Sequence, residues 1–457
     1  HADRRRRDAE QRGHSAPLDN MPKMMKRAAT LFLALTFLWP IAPILGKDKG
    51  DRDRNRSRIS DLQFSSVATQ QEDPPVISVW YGLEQMVVYD AQDDFNVLGD
   101  VSGDPTNTIM QYRVNGGEWR SLSVGDREDG FGDGRRLAKN GDWNADIPTT
   151  DLVAGENTVE VQATNGAGTT TVEVSVTKQV LSNPPTDIVW EQVTDPQTVG
   201  QYVDGKWRVD ADGLHVVEAG FDRLFMIGDR TWTDYEVLFP FQIHELYPAG
   251  PFGSSAGSAI GVILRWQGHI VDESNSWWQP KYEFDRLGGI TWIRWVNGND
   301  GAPYEEFWGG GNGSNSVYVY GERSVSLGET YWMRARAETL EDVYRQPTRY
   351  SWKMWKAGEA EPTEWDYSRD YIHSDALTSG GPALVAHHMD ATFGDVQVQR
   401  LDGEGGDEDT TAPIIGAVTV APTANGATIN WATDEAATGQ LEYGSTSSYG
   451  TAVSTAA

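Results

Sequence analysis

Two short runs of this sequence place side chains that do chemistry at the spacing of a β-strand. Along residues 261–269, Val262, Leu264 and Trp266 alternate with Ile263, Arg265, Gln267 and His269, and along 241–244, Phe241 and Ile243 alternate with Gln242 and His244. Successive side chains on a strand point to opposite faces. Each run therefore has a core face and a polar face. If the runs are neighbours with their polar rows turned the same way, Gln242, His244, Arg265, Gln267 and His269 gather on one sheet surface. Further on, Trp277, Trp278, Lys281, Tyr282, Glu283 and Asp285 crowd a predicted loop and strand. Indole faces stack on apolar ring faces, and planar polar groups meet hydroxyls. The mixture is that of a sugar-binding surface, with Gln242, His244, Arg265, His269, Trp277, Trp278 and Lys281 as expected ligand contacts. His244, or the Glu283 and Asp285 pair, are the candidates for proton transfer.

Each signal has a plainer explanation. Trp232, Trp266, Trp332 and Trp352 lie in strand phrases and are expected in the core. Arg265 could serve a carboxylate of the fold instead of a ligand. His387 and His388 resemble a metal pair, but neighbours on a strand face opposite ways, and a shared ion would need a bulge.

The elements that must position these groups are strands. No segment keeps a 3.6-residue period, whereas period two recurs with turn signals such as Asn115-Gly116-Gly117 and Asn165-Gly166. The fold class expected is all-β and multidomain. The 457 residues exceed one core, and 48 Gly and 21 Pro punctuate the strands. We expect a leader and signal peptide over 1–46, a disordered linker over 47–73, a β-sandwich over 74–180, a large jelly roll over 186–402, an acidic linker over 403–410 and a partial sandwich over 411–457. Thirteen of the 18 tryptophans fall in the 186–402 segment.

Lys23, Lys26 and Arg27 precede the apolar run 28–39, which Pro40 and Pro43 end. That is the plan of an export signal. Twelve residues are too few to span ~30 Å of hydrocarbon at 1.5 Å per residue, so no membrane insertion is expected once the signal is removed, and the chain is expected outside the cell. A net charge of -29 disfavours nucleic acid. The absence of cysteine excludes disulfides, thiolate metal sites and cysteine nucleophiles.

The phrases Tyr112-Arg-Val-Asn-Gly-Gly and Gly155-Glu-Asn-Thr-Val-Glu-Val-Gln-Ala resemble bacterial immunoglobulin-like spacer domains. Asp234-Tyr-Glu-Val, Gly261-Val-Ile-Leu-Arg-Trp, Tyr331-Trp-Met-Arg-Ala-Arg and Ala391-Thr-Phe-Gly-Asp-Val-Gln-Val resemble the concanavalin A-like, laminin-G-like superfamily and its 3-keto-disaccharide hydrolase-like branch. Gly426-Ala-Thr-Ile-Asn-Trp resembles the first half of a fibronectin type III-like domain. Only about 47 residues of it are present where a full sandwich needs roughly 100. The jelly-roll resemblance implies a glycan ligand on the concave sheet and a structural Ca²⁺, to which no ligands are assigned. Gln242-Ile-His matches the Gln-Ile-His motif of jelly-roll alginate lyases, which implies His244 as base, although the companion strands of that family are missing. Glu283-Phe-Asp285 is similar to the Glu-x-Asp-x-Glu strand of jelly-roll glucanases, with Leu287 where a third carboxylate belongs. Three readings follow: a glycan-binding or adhesion protein whose partner is a polysaccharide or cell-surface glycan, a polysaccharide-active enzyme, and a purely structural surface protein.

Overall fold

The computed structural model describes residues 73–455, apart from 104–106, 126–135, 182–183, 248–256, 270–287, 296–298, 300, 310–315, 341–346, 373–375, 402–417, 424, 432–438 and 445–450. These residues belong to one compact unit. The export segment and Trp277, Trp278, Lys281, Glu283 and Asp285 lie outside the described residues.

The chain is all-β: among the described residues strands predominate, and the helices are three single-turn 3₁₀ helices. Its first part is a sandwich of a four-stranded and a five-stranded sheet. The alternation predicted for Gly155–Thr164 is present, with Val159, Val161 and Ala163 fully buried against Val174 and Val176 of Thr169–Lys178. Asn115 and Gly116 both take positive φ, 51° and 70°, as the Asn-Gly turn signal requires.

Two larger sheets follow. The nine-stranded sheet includes, in spatial order, Trp207–Asp210, Gly213–Val216, Met389–Phe393, Tyr235–Leu246, Thr330–Thr339, Thr348–Lys356 and Tyr367–Tyr371. Asp187–Ile188 pairs with Val396–Arg400, which pairs in turn with Tyr235–Leu246. The seven-stranded sheet runs Gly200–Asp204, Arg223–Ile227, Gly381–His387, Ala259–Trp266, Gly289–Arg294, Tyr304–Gly309 and Ser316–Glu322. Between the sheets lies one core that includes Phe239, Phe241, Ile260, Val262, Met333, Trp352, Leu384 and Phe393. The chain crosses from one sheet to the other at His388, whose φ of +50° separates Gly381–His387 from Met389–Phe393.

The first sandwich packs on the seven-stranded sheet. Tyr81 stacks on Tyr202 with ring centroids 3.6 Å apart, and its hydroxyl donates to Gly205 O at 2.7 Å. Ala91 joins a second core cluster with Val203, Leu224, Ile263 and Trp266. A buried charge network crosses the same boundary: Arg136 pairs with Asp146 at 3.0 Å and Asp204 at 2.7 Å, and Arg223 donates to Arg136 O at 2.7 Å. Beyond the jelly roll, Thr419–Thr423 pairs with Gly426–Asn430, and Gly439–Tyr443 with Thr451–Thr455.

Candidate functional site

Gln242 and His244 stand on the outer face of the nine-stranded sheet, as the alternation of Tyr235–Leu246 dictates: Phe239, Phe241 and Ile243 fill the core, and Gln242 and His244 turn away from it. Gln242 is half-buried and donates through Nε2 to Gly328 O; His244 is exposed.

Arg265 and His269 do not join them. The expectation of one shared polar surface is corrected by strand pairing: Tyr235–Leu246 bonds to strands of the nine-stranded sheet, whereas Ala259–Trp266 bonds to Gly289–Arg294 and Gly381–His387 of the other. Arg265 sits where the register slips, at φ +55°, and its side chain is fully buried. All five of its N–H donors are occupied. Nε donates to Thr233 O at 2.9 Å, one terminal nitrogen to Leu377 O at 2.9 Å and the Thr348 hydroxyl, and the other to Asp234 Oδ1 at 3.0 Å and Thr339 Oγ1 at 2.6 Å. Gln267 donates to Ser379 O at 3.0 Å. His269 Nε2 lies 2.6 Å from Asp204 Oδ2, buried beside the first sandwich. Burial raises the Asp204 pKa, but Arg136 and His269 outweigh it and hold the carboxyl below its ordinary value. These groups serve the fold.

Alternation also brings to the outer face a set of side chains beyond those expected to meet a ligand. On Thr330–Thr339, Tyr331, Met333, Ala335 and Ala337 are buried, so Trp332, Arg334 and Arg336 face outward. Register places Trp332 opposite Trp355, Arg334 opposite Lys353 and Arg336 opposite Ser351 on Thr348–Lys356. The indoles of Trp332 and Trp355 lie at 13° with centroids 6.4 Å apart. Trp365 lies over the next rows, with Arg336 at 5.1 Å and Lys353 at 5.0 Å from its ring. Two carboxylates thread the band: Glu236 binds Arg334 and Arg336, and Glu361 binds Arg334 at 2.8 Å and Lys353 at 2.7 Å. Trp332, Trp355 and Trp365 are all half-buried. A groove of about 300 Å³, lined by Glu236, Leu238, Arg334, Gln397, Gln399 and Arg400, continues the band along the sheet. Trp332, expected in the core, thus stands half-buried on the outer face, while Trp232, Trp266 and Trp352 are buried as expected.

The seven-stranded sheet carries a different cluster. Glu306 accepts from Trp292 Nε1 at 3.1 Å, from Arg294 at 3.1 Å and from Trp308 Nε1, and is itself buried. All three bonds fall on Oε1. His387 and His388 are not on opposite faces as a regular strand would have them. The positive φ at His388 brings their rings to 4.2 Å, both against Phe221. His387 Nδ1 lies 2.8 Å from Asp222 Oδ1. Burial, and then the charges of His387, Arg223 and Arg294, push the His388 pKa down to about 3. Among the described residues, no group of three His, Asp or Glu is arranged to hold a metal ion.

Fold and site together define an all-β, multi-sheet sandwich protein with an aromatic and charged band on the outer face of one sheet. No family model matches the chain, and no curated protein matches it. Among solved structures, it is similar to the exoplasmic/lumenal domain of VIP36 in its Ca²⁺/Man3GlcNAc-bound form, at 10% identity over 49% of this chain and 92% of that one, with a TM-score of 0.32. It is similar to the CBM2 module of the evolved Dit of Lactobacillus casei BL23 phage J-1, at 7% identity over 43% and 79%, with a TM-score of 0.25. It is also similar to xylan β-1,4-xylosidase of Bacillus halodurans C-125, at 10% identity over 71% and 64%, with a TM-score of 0.27. Scores of this size assign neither family nor ligand.

Proposed function

We propose that this chain acts outside the cell as a glycan-binding protein, and that it holds a polysaccharide or cell-surface glycan on the outer face of the nine-stranded sheet. The observation that carries the reading is the band of Trp332, Trp355 and Trp365, three half-buried indoles on one sheet face with Arg334, Arg336 and Lys353 between them. Apolar sugar faces stack on such rings, and fixed guanidinium and carboxylate groups bind hydroxyls beside them. The basic residues Lys23, Lys26 and Arg27 before the apolar run 28–39 support the export half of the proposal.

A glycan array and affinity electrophoresis in soluble polysaccharides test it. Trp332→Ala and Trp355→Ala should each weaken the best ligand tenfold or more, about 1.4 kcal/mol, with the melting temperature nearly unchanged. Binding that survives both substitutions moves the site elsewhere; a blank array for the wild-type chain removes the function.

A further inference from the structure

One chain of hydrogen bonds on the same face has a direction. Asp210 Oδ1 lies 2.9 Å from His215 Nε2, His215 Nδ1 lies 2.7 Å from Thr392 Oγ1, and the same hydroxyl lies 2.7 Å from His244 Nε2. The strands set this up: His215 and Gln242 are both register partners of Thr392, and a slip in the ladder between Ile243 and Glu245 makes His244 the extra residue of a bulge. Bulges re-aim side chains. Here the slip brings the His244 ring near-parallel to His215, at 12° and 6.3 Å.

A hydroxyl has one proton, so Thr392 donates to one imidazole and accepts from the other. A carboxylate only accepts, which puts a proton on His215 Nε2. Burial, and then Arg208, lower the His215 pKa and favour its neutral form. Its Nδ1 is therefore bare and takes the Thr392 proton. Thr392 Oγ1 must then accept from His244 Nε2–H, and the Nδ1 of neutral His244 is left without a proton on an exposed side chain. On the same face, the Gln242 amide nitrogen donates to Gly328 O, which leaves the amide oxygen as the acceptor that a ligand would meet. Two acceptors side by side match a ligand that donates.

We infer that Asp210, His215 and Thr392 act as positioning residues that hold His244 Nδ1 as a hydrogen-bond acceptor, and that His244 and Gln242 form a subsite for sugar hydroxyls that disfavours carboxylate and sulfate groups. The inference rests on the glycan-binding reading for its ligand, but the tautomer it requires is a property of the free chain.

Imidazole ¹⁵N NMR of the histidine-labelled chain tests it directly. Both His215 and His244 should carry their proton on Nε2, and Thr392→Val, which keeps the β-branched shape, should return His244 to a tautomer mixture while the far-UV dichroism stays unchanged. A His244 proton on Nδ1, or a tautomer untouched by the substitution, overturns the relay. If Thr392→Val does not fold, Asp210→Asn, at a partly exposed position, makes the same test: it should loosen the tautomers of His215 and His244, and unchanged resonances overturn the relay. For the ligand, methyl β-glucoside should move the His244 Nδ1 resonance and leave His215 in place, and methyl β-glucuronide should move it less. A still His244 resonance, or a stronger response to the glucuronide, overturns the subsite. If the tryptophan substitutions still abolish binding to a glycan, that reading stands without the subsite; a blank array with the Nε2 tautomer intact removes the reading and leaves the relay.

Discussion

Arg265 holds the end of one sheet to loops and strands of the other through all five of its N–H groups, and none of them is left for a ligand. Arg265→Met is therefore expected to destabilise the chain by ~3–5 kcal/mol, because Asp234 loses its ion-pair partner and two threonine hydroxyls and two backbone carbonyls lose a buried donor. Arg265→Lys should not rescue it, since an ammonium cannot reproduce the fork. Denaturant titration checks both, and a near-native midpoint in either would show that the network is dispensable. His388 has a different consequence. Folded, it stays neutral down to about pH 3, whereas the unfolded chain takes up a proton near 6.5, so stability falls as pH drops from 6.5 towards 3. Asp142 acts in the opposite sense. Burial, and then Glu218, raise its pKa to about 6, so it favours the folded state most at low pH and loses that contribution as pH rises from about 4 to 6. His388→Asn, which tolerates the positive φ, should isolate the histidine: between pH 7 and 4.5 it should lose roughly 2–3 kcal/mol less than the wild-type chain. Equal losses in the two proteins would mean that His388 is not the acid-sensitive group.

At the scale of strands, close pairing explains why one glycine cannot be replaced. A Cβ on Gly261 would lie 2.1 Å from Thr291 O and 2.6 Å from the Trp292 Cα and Cβ atoms, all on the neighbouring strand. Gly261→Ala should therefore cost ~1–3 kcal/mol or more in thermal or chemical unfolding, and an unchanged stability would mean that the two strands are free to separate. The same pairing marks what the sequence made legible. Alternation is local, so it fixed which side of a strand is core, and Phe241, Val262 and Met333 are all buried accordingly. It also contained the signal for Trp332: with Tyr331, Met333, Ala335 and Ala337 on one face, Trp332, Arg334 and Arg336 had to share the other. Treating tryptophan as a core residue by type overrode that periodicity. Which sheet a strand joins is not local. Tyr235–Leu246 and Ala259–Trp266 are consecutive in sequence yet lie in opposite sheets, because each takes partners far along the chain, such as Thr330–Thr339 and Gly381–His387. Nor does period two foresee a register slip, and the slips at His244 and Arg265 set how those side chains are aimed.

At the scale of the molecule, the first sandwich and the jelly roll share buried surface. Ala91, Val203, Leu224, Ile263 and Trp266 form one apolar cluster across the boundary, Leu98 belongs to the main core of the jelly roll, and Gln92 accepts from Trp266 Nε1 at 3.2 Å. Asp204, nearly inaccessible to solvent, draws one side-chain partner, Arg136, from the first sandwich and another, His269, from the jelly roll. A 186–402 fragment would thus bare an apolar sheet face and leave Asp204 without the arginine that holds it ionised. Removing one partner of a buried ion pair costs ~3–5 kcal/mol, and newly exposed apolar area adds about 25 cal/mol for each Å² returned to water. Both fall on a domain whose total stability is ~5–15 kcal/mol. The packing leads us to expect for this fragment a lower midpoint than that of residues 74–402, together with binding of a hydrophobic dye that the longer chain does not show. Arg136→Ala in the longer chain should reproduce part of the loss, which separates the ion pair from the apolar surface. Matching midpoints and no dye binding would show that the two parts merely touch.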